Sequence, residues 1–199
     1  MSAVSEAIVR EFFELHGFLV RQQRKYIAPH RSEDQEIDFV VINPAAVSST
    51  EPLPFVLGVE NMRTISRAVV AVKGWHTEIF GPGMLINTPE IFRFVEPQVL
   101  QQTTMAFEDD GPLTKLLVVP ALPQNPEARA QSIELLRARG IDAVIPFQTM
   151  LADLIGRIET NRNYQKSDLL QIIRILKNYD FFREPQLELF KSERPRRKS

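Results

Sequence analysis

The chain has no cysteine among its 199 residues, which excludes disulfides, thiolate nucleophiles and thiolate-held zinc and makes a reducing, cytoplasmic setting the expected one. Long apolar runs are also missing. The longest, such as Phe39-Val40-Val41-Ile42, fall far short of the ~20 residues a membrane span needs, and the opening residues lack the basic-then-apolar pattern of an export signal. Neither export nor membrane insertion is expected. Nor does one sign of charge dominate: Lys and Arg number 24 and Asp and Glu 25, a net charge of -1, so no global basic field announces a nucleic-acid binder. Glycine is sparse, at 8 residues. Its densest spot, Gly81-Pro82-Gly83, lacks the Lys-Ser/Thr of a phosphate loop, and no GxGxxG follows a strand. The three histidines, His16, His30 and His76, lie far apart with no HExxH pair, and there is no GxSxG nucleophile elbow.

What is present is the composition of a globular core, 44% hydrophobic and 25% charged, in a length suited to one domain with an appendage. Val4, Ile8, Phe12 and Leu15 recur at helical spacing, with Ser5 as a candidate cap and Gly17 at the stop. Residues 18–26 and 36–43 read as two antiparallel strands, the second closed by Pro44. Residues 44 to 67 read as an insertion holding at most a short strand at Phe55–Val59. RAVVAVKGW, 67–75, is so continuously apolar that a strand buried on both faces is expected. Thr88-Pro89-Glu90 opens a helix predicted to run to about Phe107. Strands at 115–122 and 141–147 flank a helix at 125–140, and helices at 148–160 and 167–178 follow. The expected fold class is therefore α/β, a mixed central sheet flanked by helices, with early strands paired as hairpins and later ones parallel. The divisions expected are an α/β core over 1–147, a helical extension over 148–190 and a basic tail over 191–199, where five basic residues face one acid.

The candidate chemistry lies on the central strands. Strict alternation sets Glu36, Asp38 and Val40 on one face and Ile37, Phe39 and Val41 on the other, and likewise sets Ala71 with Lys73. A lysine in so apolar a strand is costly unless a carboxylate, metal or phosphate stands close, so Lys73 is the most informative residue. On neighbouring strands, Asp38 and Lys73 would converge on one patch. Each residue also has an ordinary explanation: Glu6 as a first-turn acid favoured by the helix dipole, Asp38 as a cross-strand partner for a base, Lys73 as a strand-end residue reaching water.

The order helix, three strands, helix, strand, with Glu6 on the helix, Asp38 on the second strand and Lys73 on the third, resembles the restriction-endonuclease-like fold of the PD-(D/E)xK nuclease superfamily over residues 4–147. That resemblance implies an αβββαβ core with an extra C-terminal strand and helices. It also implies a DNA- or RNA-directed hydrolase in which Lys73, Asp38 and Glu6 act in phosphodiester hydrolysis and Mg2+ is the cofactor. Ala71 departs from the pattern, standing where the family carries a second metal-binding acid. Glu36, Glu60 or Glu78 could replace it, and Glu36 is the favoured one because alternation puts it beside Asp38, giving Asp38 and Glu36 as the metal set. Arg24 and Lys25 could track a phosphate backbone, Trp75 could stack on a base and His76 touch a phosphate. Three functions stay open at this point: an active nuclease, a non-catalytic nucleic-acid or protein-interaction module on the same fold, and an assembly domain that forms a homodimer through helices at 148–178.

Overall fold

The structure, a computed structural model, describes residues 3–22, 37–104 and 112–182. The chain forms two compact units, residues 1–157 and 158–199. The first unit is an α/β domain. Helix α1 (Ala3–Leu15) leads into strands β1 (Leu19–Gln22), β2 (Phe39–Ile42) and β3 (Arg67–Val72), followed by α2 (Pro82–Asn87), α3 (Pro97–Thr104), β4 (Thr114–Val119), α4 (Pro126–Ala138), β5 (Ala143–Pro146) and α5 (Phe147–Arg157). The five strands make one mixed sheet in sequence order, in which β1, β2 and β3 pair antiparallel and β3, β4 and β5 pair parallel.

The apolar pattern explains the layering. All six residues of β3 are buried, as expected for a strand covered on both faces. On one face Val40, Val69, Ala71, Leu117, Val119 and Val144 form a core with Phe80, Leu85, Ile91, Phe94 and Leu136. On α1, Ile8, Val9, Phe12 and Phe13 are buried, and α5 buries Phe147, Met150 and Leu154. The stripe on α1 is thus rotated from the one expected, since Val4 is exposed. Two chain reversals need left-handed backbone and have glycine there: Gly17 at φ 81 and Gly140 at φ 86. Each closes a helix with paired bonds, Gly17 N to Glu14 O with Phe18 N to Phe13 O, and Gly140 N to Arg137 O with Ile141 N to Leu136 O.

Two expectations need correction. The single helix predicted from Thr88 to about Phe107 is instead a 3-10 turn over Pro89–Val95 followed by the separate α3. Pro97 is the cause: the residue before a proline is driven out of the helical region, and Glu96 sits extended at ψ 137. The strand considered at Phe55–Val59 is an isolated bridge, Val56 to Val144, leading into a 3-10 turn over Val59–Thr64.

The second unit carries α6 (Asp168–Asn178), capped by Ser167 Oγ, which accepts from Leu170 N at 3.2 Å. Leu170 and Ile173 are its buried residues. Lys177 Nζ donates to Ile158 O at 2.7 Å and Arg174 Nε to Thr160 O at 2.9 Å, tying the helix to the segment that precedes it.

Truncating a fully buried central side chain tests the layering. Leu117→Ala is expected to cost about 2–5 kcal/mol in denaturant unfolding, whereas Leu19→Ala on the exposed edge of β1 should stay within about 0.5 kcal/mol.

Candidate functional site

The chemistry-bearing residues gather at the carboxyl end of β3, the end at which open α/β sheets commonly receive ligands. Asp38 and Lys73 do lie on adjoining strands. The register pairs Phe39 with Val70, and the Asp38 amide donates to the same Val70 carbonyl at 2.9 Å. Two residues of one strand thus face one of the other, a β-bulge that resets alternation. Ile37 accordingly joins Val40, Val69 and Ala71 in the core, where strict alternation would have put it on the opposite face. The Asp38 carboxylate turns to the strand edge instead, its Oδ2 accepting from the Val72 amide at 2.7 Å. The next residue is Lys73. Its amide continues the sheet by donating to Val118 O at 3.0 Å, and only 8% of the residue is exposed. Both Asp38 and Lys73 have further partners, so neither is a bare buried charge.

Beyond Lys73 the chain leaves the sheet through Gly74, Trp75, His76, Thr77 and Glu78. This loop is pinned by Glu78 N to Trp75 O at 2.8 Å and re-enters the core where Phe80 N donates to Ala121 O at 2.9 Å. Those five residues, with Met84 and Thr88, line an open recess of about 580 Å³. Trp75 is 38% exposed, its ring braced by Phe80 at 5.9 Å between centroids and an interplanar angle of 34°. His76 is held from two other elements: its Nε2 lies 3.0 Å from Ser5 Oγ on α1, and its ring meets Phe147 of α5 edge-on at 4.6 Å. Ser5 is therefore not the helix cap expected of it; it is a buried residue inside the first turn.

The remaining candidates fall elsewhere. Glu6 is bound through Oε2 to the Gln22 side chain on β1. Glu60 lies on the turn before β3, at the opposite end of that strand from Lys73, whereas Glu78 lies in the recess. Arg24, Lys25 and Glu36 are outside the described residues. Ala71 is fully buried, packed with Leu117, Val119 and Val144. Mg2+ takes hard oxygen ligands in a near-octahedral set, anchored by carboxylates. An oxygen of Asp38 already serves the Val72 amide, and no group of three or more His, Asp or Glu side chains is placed to hold a metal among the described residues.

No family model, no curated protein and no solved structure matches the chain.

Sequence reading missed Ser5, because a serine near a helix start is most simply a cap; nothing in spacing points across 71 residues to His76. It also missed the polar link between the two helices on the α1 side of the sheet, in which Asp153 Oδ2 meets His16 Nε2 at 2.8 Å and Oδ1 takes Arg157 Nε at 2.8 Å.

Asp38→Ala strands the Val72 amide and is expected to lower stability by about 1–3 kcal/mol. Asp38→Asn keeps an acceptor oxygen and should lose less, as thermal or denaturant unfolding of the two variants would show.

Proposed function

We propose that the protein is a nuclease-like domain that has kept the restriction-endonuclease-like arrangement for holding nucleic acid and does not cleave it. The αβββαβ order of the first unit and the Asp38–Lys73 neighbourhood at the end of β3 support the likeness to the PD-(D/E)xK superfamily. The observation that carries the non-cleaving form is Ala71. The position where the family holds its second acid is enclosed by Val69, Leu117 and Val119, in surroundings that disfavour any charge.

Binding is supported by the recess. An exposed tryptophan backed by a buried phenylalanine is a platform for an unpaired base, since every base has a π-face and stacking contributes roughly 1–3 kcal/mol per base. His76 beside it offers a polar contact to backbone or base edge. Among the described residues Glu78 is the only acid lining the recess, and with a net charge of -1 the chain draws little on long-range attraction. Affinity is then dominated by stacking and hydrogen bonding, with shallow salt dependence.

A homodimer through the second unit is the alternative. Ile172 and Ile175 on α6 and Tyr179 just beyond it are exposed at i, i+3 and i+7, one helical stripe. Light scattering of the full chain against an Ile172→Ser, Ile175→Ser, Tyr179→Ser variant separates self-association from a monomer.

Fluorescence anisotropy with a short single-stranded oligonucleotide tests the binding reading. Trp75→Ala is expected to weaken binding roughly fivefold to hundredfold, and log K against log salt should fall with a slope of magnitude about 1 to 2. With Mg2+ or Mn2+, cleavage above that of an Asp38→Ala, Lys73→Ala control would overturn the non-cleaving form. Ala71→Glu probes the same point through stability: a carboxylate forced into that core should cost more than about 3 kcal/mol, and millimolar Mg2+ should not restore it.

A further inference from the structure

The Ser5–His76 contact fixes more than the position of the imidazole. Ser5 is 1% exposed, and its hydroxyl has a single hydrogen-bond partner among the described residues, His76 Nε2 at 3.0 Å. A hydroxyl carries one hydrogen and two acceptor sites, and leaving its hydrogen unpaired in a buried place is the costly option. The hydrogen is satisfied only if Ser5 donates and Nε2 accepts. Neutral His76 must then carry its own proton on Nδ1, because one ring nitrogen accepts only when the other holds the proton. Nδ1 makes no hydrogen bond to the described residues, while His76 itself is exposed and lines the recess. The edge-on contact with Phe147 holds the ring in this orientation from α5.

We infer that Ser5 is a positioning residue that sets the tautomer of His76, so that the recess presents an Nδ1–H donor and selects ligand groups that accept hydrogen bonds. On the nucleic-acid reading above, on which the ligand class rests, the group accepted is a phosphodiester oxygen. A base amino group, being a donor, is disfavoured at the same spot. The device needs two elements distant in sequence: the buried first turn of α1 supplies the hydroxyl, and the loop after β3 supplies the ring.

The test combines a spectroscopic readout with a binding one. Nitrogen-15 chemical shifts of His76 in the full chain above pH 8 should report the Nδ1–H form, and Ser5→Ala should return the ring to the Nε2–H form that prevails in water. His76→Asn places an amide donor where Nδ1 stood, and His76→Gln places it where Nε2 stood. His76 is exposed, so neither change disturbs the core, whereas Ser5→Ala alters a buried position. For the same single-stranded oligonucleotide, His76→Gln is expected to lose about fivefold to tenfold in affinity and His76→Asn distinctly less. An Nε2–H form in the unaltered protein overturns the role of Ser5 whatever binds. The expected tautomer with equal losses from Asn and Gln overturns the donor role of Nδ1. Failure of the unaltered protein to bind the oligonucleotide overturns the phosphodiester assignment together with the nucleic-acid reading, and the tautomer measurement then stands as a separate result.

Discussion

The bond from the Val72 amide to the Asp38 carboxylate, at 2.7 Å, sets the terms for everything at the carboxyl end of the central strands. A bulge leaves ladder groups without their regular partners, and a buried amide left that way costs about 1–3 kcal/mol. Asp38 supplies the missing acceptor from its own side chain. Strand β2 can therefore begin beside the end of β3 without fraying, and Lys73 stays close enough to β4 for its amide to reach Val118 O. The loop that follows leaves the sheet from a fixed point, so the recess it lines has a defined floor.

That loop is then gripped from both sides of the sheet. Phe80 anchors its far end in the core containing Ala71 and Leu117, and Ser5 and Phe147 hold His76 toward α1 and α5. Residues 75–79 of the loop are nonetheless exposed, Trp75 and His76 among them. Rigid placement matters for recognition, because a ring already fixed loses less entropy on binding than one that must be ordered by its ligand. The His16–Asp153–Arg157 link contributes to the same rigidity by joining α1 to α5, the two helices that hold His76.

Periodicity made most of the architecture legible. The alternating and continuous apolar runs located β2 to β5, Asn125 and Gly140 marked the ends of α4, and short early connections against long later ones separated antiparallel from parallel pairing. What escaped were features whose cause is a single residue or a distant contact. Pro97 broke a helix whose apolar spacing continued through it. The bulge at Asp38 shifted alternation by one, so Ile37 entered the core beside Val40 and the Asp38 carboxylate turned to the Val72 amide. Asp38 and Lys73 were legible as neighbours, whereas the Ser5–His76 pair was not, since only the packing of α1 against the sheet brings those positions together.

The two residues that suggest a nuclease also have reasons of their own to be present. Asp38 completes a bulge, and Lys73 is a partnered strand-end cation, so each would serve the fold even in a domain that performs no chemistry. They are weak discriminators between cutting and binding. Position 71 is a strong one, because nothing about the sheet demands an acid there: an active metal site would have to hold a carboxylate against the apolar neighbours that β3 and β4 provide, and only a bound cation would offset that burial. The chain instead places at 71 a small residue that lets Leu117, Val119 and Val144 close over the strand. Such packing stabilises the sheet and closes that position to a metal ligand. At the loop beyond Lys73, an exposed aromatic ring stands beside an imidazole fixed from α1 and α5.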